Sequence, residues 1–205
     1  MPDLQHHWEA IYSGHSPDRV SWFRPHLDSS LAVIQEAALP PSAAILDIGA
    51  GASTLVDDLL ARKFENLTVL DVAQPAIDHA RNRLGAAAGR VHWIHADVLN
   101  APLPPAAYDL WHDRALFHFL TAPEDRAAYL LQLTRSLRPG GHILLSTFSR
   151  EGPPRCSGLP VVRYDAASLA QELGSCFQLI HASTEVHETP SGNKQHFLLC
   201  HLRNL

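Results

Sequence analysis

The sequence predicts an α/β protein with a doubly wound, mostly parallel sheet of seven strands. Short apolar segments alternate with amphipathic helical segments along most of the 205-residue chain, a pattern typical of parallel strands joined by crossover helices. The last two predicted strands flank only the turn-rich segment HETPSGNK, which predicts an antiparallel hairpin at the C-terminal end. Seven strands in this order are enough for one domain with a substantial core.

The N-terminal half opens with a polar segment and a helix before the alternation starts. Residues 27–39 have helical periodicity and end at Pro40 and Pro41, which cannot continue a helix. The elements that follow are the strand AAILDI, the helix STLVDDLLARK, the strand NLTVLDV, the helix QPAIDHARNRLGAA with a proline in its first turn, and the strand RVHWIHAD.

The C-terminal half repeats the same alternation. Its elements are the irregular connection APLPPAA, the strand YDLWHD, the helix PEDRAAYLLQLTRSL, the turn RPGG, the strand HILLSTF, the long loop SREGPPRCSGLPVVRY, the helix DAASLAQELG, and the strands CFQLIHASTEV and QHFLLCHLRN. We expect residues 1–205 to form a single domain, in which residues 1–40 are an N-terminal helical segment and residues 41–205 the core.

Composition narrows the class of protein. A net charge of -5 and a pI near 6.2 argue against a nucleic-acid binder, which normally carries a basic face. No apolar stretch is long enough to cross a membrane, and the N-terminus lacks the profile of a signal peptide. A cytoplasmic protein without membrane partners is therefore expected, and nothing in the sequence indicates an oligomeric state.

Cysteine and histidine usage predicts neither disulfides nor a metal. The three cysteines are odd in number and widely spaced, which favours free thiols in a reducing compartment. The 14 histidines include no HExxH or Cys/His finger spacing. For Cys156 in the long loop, a thiol without a chemical role is the preferred interpretation.

The ends of the first two strands carry the strongest functional signal. In a parallel sheet, ligands bind outside the carboxyl ends of the strands. The first strand ends in Asp47, and Gly49 and Gly51 follow, so the turn is tight and a ligand can approach the backbone. The second strand ends at Asp71, where a carboxylate can accept hydrogen bonds from a ribose diol.

Two details separate this pattern from a nicotinamide-dinucleotide site. The run GAGAST has Ser53 where the dinucleotide fingerprint has its third glycine. A carboxylate at Asp47 would repel a pyrophosphate but attract an ammonium or sulfonium group. A ligand with a ribose and a cationic amino-acid tail but no phosphate fits both details, and S-adenosylmethionine is such a ligand.

With these residues the chain resembles the class I, seven-strand S-adenosylmethionine-dependent methyltransferases. The resemblance runs from about residue 42 to residue 203, and its segments are specific through their order and spacing: ILDIGAG, VLDVAQPAID, HADVL, YDLWHDRALFHFL and LRPGGHILLSTF. It implies a Rossmann-like fold and S-adenosyl-L-methionine as the cofactor. The Asn-Pro-Pro-Tyr motif of adenine and glutamine N-methyltransferases is absent, which disfavours nucleic-acid bases as substrates.

The resemblance also implies a set of cofactor-binding positions. Asp47 and the glycine turn would contact the methionine part, Asp71 the ribose, and Asp97 with the Val98 backbone the adenine amino group. The full predicted set is Asp47, Gly49, Ala50, Gly51, Asp71, Val72, Asp97, Val98 and Asp113. The alternatives are structural, since aspartate also favours helix N-caps, as at Asp71, and turns, as at Asp97.

The segment at the end of the fourth strand contains the candidate residues for contact with the methyl acceptor. Asp-Arg-Ala-Leu at 113–116 is similar to a segment of bacterial thiopurine- and metalloid-type methyltransferases, and also to one in lysine methyltransferases. Asp113 is the predicted catalytic residue, because it could orient or deprotonate an acceptor. Arg114 could pair with Asp113 or with a substrate carboxylate, or be a solvated charge. For His118 a structural role is preferred over a role in the site.

Aromatic residues near the N-terminus and polar residues of the hairpin complete the prediction. Trp8, Tyr12 and Trp22 lie outside the strand–helix alternation, and in this family such residues commonly form a lid that excludes water and attracts the sulfonium. Packing of an N-terminal helix on the sheet is the alternative. His187 and Gln195 flank the hairpin turn at the same edge as the strand-end acids, which makes them candidates for substrate contact.

The predicted function is methyl transfer to a small-molecule nucleophile such as a thiol, a metalloid or an amine. A protein lysine methyltransferase is the alternative enzyme, and a nonenzymatic S-adenosylmethionine-binding module is the alternative of another class. An NAD-dependent reductase conflicts with Asp47 and the missing third glycine. A serine hydrolase conflicts with the lack of a G-x-S-x-G elbow.

Overall fold

The computed structural model describes residues 4–14 and 16–205, so residues 1–3 and His15 of the predicted N-terminal segment lie outside the described part. Its helices are α1 (Leu4–Gly14), α2 (Asp28–Glu36), α3 (Leu55–Ala61), α4 (Gln74–Leu84), α5 (Pro123–Ser136) and α6 (Ala166–Leu173). Its strands are β1 (Ala44–Ile48), β2 (Asn66–Asp71), β3 (Val91–His95), β4 (Tyr108–Arg114), β5 (Leu137–Phe148), β6 (Arg155–Cys156), β7 (Leu159–Pro160), β8 (Phe177–Glu188) and β9 (Lys194–Asn204).

Seven of these strands form one sheet in the order β3-β2-β1-β4-β5-β9-β8, counted over the described residues. The five strands from β3 to β5 are mutually parallel, and β9 is antiparallel to both β5 and β8. The predicted fold class and the C-terminal hairpin are thereby confirmed. Since β8 runs parallel to β5, the turn between β8 and β9 lies at the same edge as the carboxyl ends of β1, β2 and β4.

The sheet buries both faces, which explains the continuous apolar runs of its central strands. Alternate residues of β1 enter different cores: Leu46 and Ile48 pack with Trp111 and Tyr129 on the face covered by α5 and α6. On the other face, Ile45 packs in a second cluster with residues of α2 and α3. Because side chains alternate between the two faces of a strand, each residue of β1 packs against the helices on its own side of the sheet.

Most helix boundaries follow from local chemistry. Proline occupies the first turn of α4 and of α5, where its missing N–H costs nothing. At the start of α6, the Asp165 side chain accepts from the Ser168 amide at 2.8 Å, while the Ser168 hydroxyl caps the Asp165 amide. The predicted helix over 27–39 ends at Glu36, because Ala38 adopts a left-handed conformation with φ of 50°.

The structure differs from the predicted elements at two places in the C-terminal half. The segment RPGG is not a separate turn but lies inside β5, which begins at Leu137 and bulges between its partners Tyr108 and Leu110 on β4. Gly140, with φ of 76°, provides the irregular backbone there. The long loop after β5 contains the short antiparallel ribbon β6–β7.

None of the described helices is long and apolar enough to span a membrane.

Candidate functional site

A cavity of about 560 Å³ lies at the carboxyl edge of the sheet, within the size range of small-molecule sites. Residues that follow β1, β2, β3 and β4 line one side of the cavity. Aromatic residues from α1 and from the segment before α2 line the side facing them. The location agrees with the predicted ligand-binding edge.

The turn after β1 requires its two glycines for reasons that the structure makes specific. Gly49 and Gly51 have φ of 55° and 58°, in the left-handed region that favours glycine. A Cβ atom at Gly49 would collide with the Leu116 side chain, and one at Gly51 with the Tyr12 hydroxyl. Gly49 and Ala50 line the cavity, whereas Gly51 lies beneath Tyr12.

Asp47 lies at the cavity with one carboxylate oxygen engaged and one free of partners. Its Oδ1 is 2.6 Å from Nδ1 of His112, whose Nε2 is 2.9 Å from the Ser30 hydroxyl. Its Oδ2 is buried without a hydrogen-bond partner among the described residues. Because a buried acceptor without a donor is costly, this oxygen suits a ligand that brings a donor such as an ammonium group.

Asp71 lines the cavity while its carboxylate holds the surrounding backbone. Oδ2 accepts from the Gly51 amide at 2.7 Å, and Oδ1 accepts from the Ala73 amide at 2.8 Å. Burial raises the pKa of Asp71 to about 6 against these hydrogen bonds, which lower it. Each carboxylate oxygen has a further lone pair, so the residue can still accept from a ligand hydroxyl.

The third strand end forms the next part of the wall. Val72, Asp97 and Val98 line the cavity, with Val98 buried. Oδ1 of Asp97 accepts from the Leu99 amide at 3.0 Å and so stabilises the turn after β3. Asp97 thus combines the predicted position at the cavity with the turn role that was its alternative.

Three N-terminal aromatic residues cover the cavity from the other side. Trp8 and Tyr12 of α1 contact Trp22 edge to face, with ring centroids 5.7 and 6.1 Å apart. Trp8 also meets Phe119, which follows β4, at 5.0 Å. Nε2 of His79 lies 2.9 Å from the Tyr12 carbonyl oxygen and ties α1 to α4.

The far end of the cavity, away from Asp97, contains an arginine that forms no ion pair with the described residues. Arg114 donates from Nη1 to the Trp22 carbonyl at 3.0 Å, and its guanidinium lies 5.1 Å from the centre of the Phe197 ring. Its Nη2 is buried with no partner among the described residues, and so is Oε1 of Gln195, which also lines the cavity. Burial lowers the pKa of Arg114 to about 10, so the group remains charged at neutral pH.

The predicted catalytic residue Asp113 does not line the cavity. Its side chain is fully buried, and its carboxylate accepts from the amides of Leu116 and Phe117 at 2.9 and 3.1 Å and from the Tyr129 hydroxyl at 2.8 Å. Burial raises its pKa to about 6. The reason is strand alternation, since Asp113 points to the α5 face of the sheet while His112 and Arg114 point to the other face.

Two predicted histidines are also held in the protein interior. Nδ1 of His118 accepts from the Phe148 amide at 3.1 Å, and burial lowers the pKa of His118 to about 3. His187 accepts from Nε of Arg24 at 3.2 Å and lies 2.7 Å from the Ser21 carbonyl, so it donates from Nε2. Both anchor backbone segments around the cavity instead of lining it.

Sequence reasoning did not single out several residues of the cavity wall. They include His112, Arg24, Phe119, Phe148 and Phe197. For His112 a signal existed: it is two residues before Arg114, so a strand places both side chains on the same face. The phenylalanines come from three separate segments, and no local pattern joins them.

The described residues contain no group of histidine, cysteine or acidic side chains arranged to hold a metal ion. The cysteines Cys156, Cys176 and Cys200 are free thiols, and burial raises the pKa of Cys156 at the cavity wall.

Comparisons with known proteins agree with this architecture. A methyltransferase-domain family model matches residues 45–141. An uncharacterised methyltransferase of Mycobacterium tuberculosis is 33% identical over 104 residues, which cover 51% of this chain and 50% of that protein. The malonyl-[acyl-carrier protein] O-methyltransferase of Serratia marcescens is 28% identical over 80% of this chain and 58% of its own length. The chain thus spans little more than half the length of these relatives.

Solved structures show the same fold over nearly the whole chain. The Burkholderia thailandensis 1,6-didemethyltoxoflavin-N1-methyltransferase, solved with bound 1,6-didemethyltoxoflavin and S-adenosylhomocysteine, has a TM-score of 0.75 at 22% identity. The match covers 98% of this chain and 87% of that one. A protein from a study of thioacetal formation in echinomycin biosynthesis has a TM-score of 0.80 at 21% identity and covers 98% and 93%. Residues 45–141 thus match a methyltransferase-domain family model, and the sheet order and these neighbours show the fold of class I S-adenosylmethionine-dependent methyltransferases over nearly the whole chain.

Proposed function

We propose that the protein transfers the methyl group of S-adenosylmethionine to a small-molecule nucleophile, such as a thiol, a metalloid or an amine. The observation that carries this proposal is the cover of Trp8, Tyr12 and Trp22 over a cavity of about 560 Å³. A covered cavity of this volume suits a small acceptor that enters whole. A lysine on a folded protein would need an open channel to the reacting centre.

The walls of the cavity offer a matching group for each part of the cofactor. The free Oδ2 of Asp47 suits the ammonium group, and the turn from Gly49 to Gly51 brings bare backbone to the methionine part. Asp71 with Val72 would hold the ribose, and the turn of Asp97 and Val98 the adenine. These assignments rest on residues that converge on one cavity from three strand ends.

Methyl transfer needs alignment and a dry site more than it needs acid–base chemistry. When bound, the cofactor supplies an electrophilic methyl group on a sulfonium, which passes to the acceptor in an in-line displacement. The chain would contribute the aromatic cover, which excludes water and offers ring faces to a positive charge. In this arrangement Asp113 is a buried support for the backbone after β4. An acceptor would enter as a thiolate or a neutral amine, and a methylated amine would lose its proton after it leaves the site.

We further propose that residues 1–40 act as the lid of a single domain of residues 1–205. The support is the contact of α1 with both ends of the cavity: Tyr12 lies over Gly51, and Trp8 packs on Phe119. An opening motion of α1 would admit both ligands, and closure would complete the wall.

The acceptor class can be tested with radiolabelled S-adenosylmethionine and a cell lysate split into a small-molecule filtrate and a retained protein fraction. We expect label to move into the filtrate and not into protein. Gly49→Arg is the matched control, because its side chain fills the turn at the cavity. Label in protein would support the lysine methyltransferase, and cofactor binding without transfer in either fraction would support a nonenzymatic module.

A further inference from the structure

The end of the cavity beyond Asp47 is formed by a charged group and aromatic rings together. Arg114 stacks on Phe197 with 5.1 Å between the guanidinium carbon and the ring centre. Phe197 in turn meets Phe148 edge to face at 4.8 Å, and all three residues line the cavity. This end therefore combines flat apolar walls with one positive charge whose plane is fixed by stacking.

The acids near Arg114 already have other partners. Glu185 forms an ion pair with Arg24 at 3.8 Å and also accepts from the Ser29 hydroxyl. Asp47 is held by His112 at 2.6 Å. Arg114 itself forms no ion pair within the described part of the chain, although Nη2 is buried. A buried cation without a paired anion is costly, so a ligand anion placed there would gain a charge-assisted hydrogen bond.

The cofactor's own charge distribution favours the same kind of partner. The cofactor has a positive sulfonium, a positive ammonium group and a negative carboxylate, so its net charge is positive, and Asp47 would hold the ammonium group. An acceptor that carries a negative group would balance the sulfonium and Arg114 together, and its charge would favour entry into this end of the cavity.

We infer that the far end of the cavity binds a flat, largely apolar acceptor that carries a planar oxyanion such as a carboxylate, held by Arg114 against Phe197. The inference rests on the proposed methyltransferase function and specifies its acceptor. Gln195 would accept a hydrogen bond from a donor elsewhere on the acceptor, since its Oε1 lies buried at the same wall without a partner among the described residues.

A pair of probes that differ only in charge tests this inference. 1-Naphthoate and 1-naphthamide are flat and of nearly equal size, and each is titrated by calorimetry into the protein saturated with S-adenosylhomocysteine. We expect the carboxylate to bind about tenfold tighter or more, the difference of ~1.4 kcal/mol that one charge-assisted hydrogen bond readily provides. Arg114→Met should abolish the preference by weakening only the carboxylate.

Arg150→Met is the matched control. Arg150 is a mostly exposed arginine paired with Asp165, and it does not line the cavity. This variant should keep the preference for naphthoate. The affinity for S-adenosylhomocysteine should stay within about twofold in both variants, because neither arginine is assigned to the cofactor.

Three outcomes would overturn the inference. Equal binding of the two probes would remove the anion preference, and binding of neither would remove the flat acceptor site. A large loss of S-adenosylhomocysteine affinity in Arg114→Met would assign the guanidinium to the carboxylate of the cofactor instead. Failure of the unsubstituted protein to bind S-adenosylhomocysteine is a separate result, which would contradict the proposed function and is measured first.

Discussion

At the scale of single residues, the hydrogen-bonded series Ser30–His112–Asp47 fixes the carboxylate that we propose to bind the cofactor's ammonium group. His112 occupies Oδ1 of Asp47 and leaves Oδ2 without a partner among the described side chains and backbone groups. The Ser30 hydroxyl, 2.9 Å from Nε2, fixes the orientation of the ring. In the proposed site His112 would act on the ligand through the carboxylate that it positions.

Replacing His112 should loosen Asp47 and weaken cofactor binding. We expect His112→Phe to raise the Kd for S-adenosylhomocysteine about tenfold, because a hydrogen bond to a charged group contributes about 1.5–3 kcal/mol. Ser30→Ala should have a smaller effect in the same direction. Calorimetry measures both, with His142→Phe as control, since His142 pairs with His201 away from the cavity. An unchanged Kd would show that Asp47 does not need this support.

Asp113 should matter for stability and not for turnover. Its carboxylate accepts from three donors, so Asp113→Asn places an amide NH2 against at least one of them. We expect a loss of about 1–3 kcal/mol in unfolding free energy, as for other unsatisfied buried groups. Chemical denaturation measures it, and Asp109→Asn at the partly exposed ion pair with Arg138 is the control. Normal stability with lost methyl transfer would restore Asp113 to a catalytic role.

Protonation of Asp71 should make cofactor binding depend on pH. Burial raises its pKa from the ordinary value of an aspartate to about 6 in the folded protein. Folding therefore favours the protonated form of Asp71. The stability that this form contributes to the folded protein is lost as pH rises through about 6. Since a ribose diol needs acceptors, affinity for S-adenosylhomocysteine should fall as pH is lowered through about 6. Asp71→Asn should bind weakly with a flat profile, and an equally steep profile in this variant would assign the titration elsewhere.

At the scale of secondary-structure elements, α1 and the turn after β1 depend on each other. Gly51 adopts a left-handed backbone, and the Tyr12 hydroxyl occupies the position where a Cβ atom would be. A side chain at this position would therefore strain the turn and displace the helix that covers the cavity. The two glycines of the motif thus leave room for neighbouring side chains of the protein, and they also let a ligand approach the backbone.

A pair of glycine variants separates backbone strain from this contact. Gly51 and Gly85 have nearly equal φ, 58° and 56°, but a Cβ at Gly85 would meet nothing within 4 Å. Both alanine variants should lose stability, because L side chains disfavour a positive φ, and the loss should be at least as large at Gly85, whose ψ of -127° lies outside the left-handed helical region. Only Gly51→Ala should also weaken S-adenosylhomocysteine binding, and Tyr12→Phe combined with it should recover part of the loss. Equal effects on binding would exclude a role for the Tyr12 contact.

Strand β4 shows which part of an element can be predicted and which cannot. The sequence alone predicts the strand, and it also predicts that the carboxyl end of β4 lies at the ligand-binding edge of the sheet. The face of each side chain depends on the register with β1 and on the partner helix, and Tyr129, which binds Asp113, lies 16 residues further along the chain. The sequence therefore indicated the correct strand end, while the structure assigns the cavity to His112 and Arg114.

At the scale of the whole molecule, ligand binding should be visible as stabilisation. At a hundredfold excess over Kd, a ligand that binds only the folded state adds about 2.7 kcal/mol. For a domain of this size that corresponds to a rise in Tm of roughly 5–10 °C. We expect this shift with S-adenosylhomocysteine, none with NADH, and none for Gly49→Arg with either ligand. A shift with NADH alone would contradict the cofactor assignment.

The cofactor side of the cavity could be predicted in more detail than the remainder. Asp47 and Asp71 lie at the ends of β1 and β2, and Asp97 lies two residues after β3, so local pattern and the topology of a parallel sheet are enough to bring them together. The far end combines side chains from β4, β5 and β9 with α1. Its composition depends on long-range packing, which explains why Phe148 and Phe197 were not recognised.

The position of β9 between β5 and β8 has a consequence for how the protein is made. Strand β8 leaves the ribosome before β9, yet it reaches the sheet only through β9. The nascent chain can therefore complete β1 to β5 and the cofactor side of the cavity while β8 has no edge to pair with. Gln195 and Phe197 arrive with the last strand, so the proposed acceptor end of the cavity is completed later in synthesis than the residues proposed to hold the methyl donor.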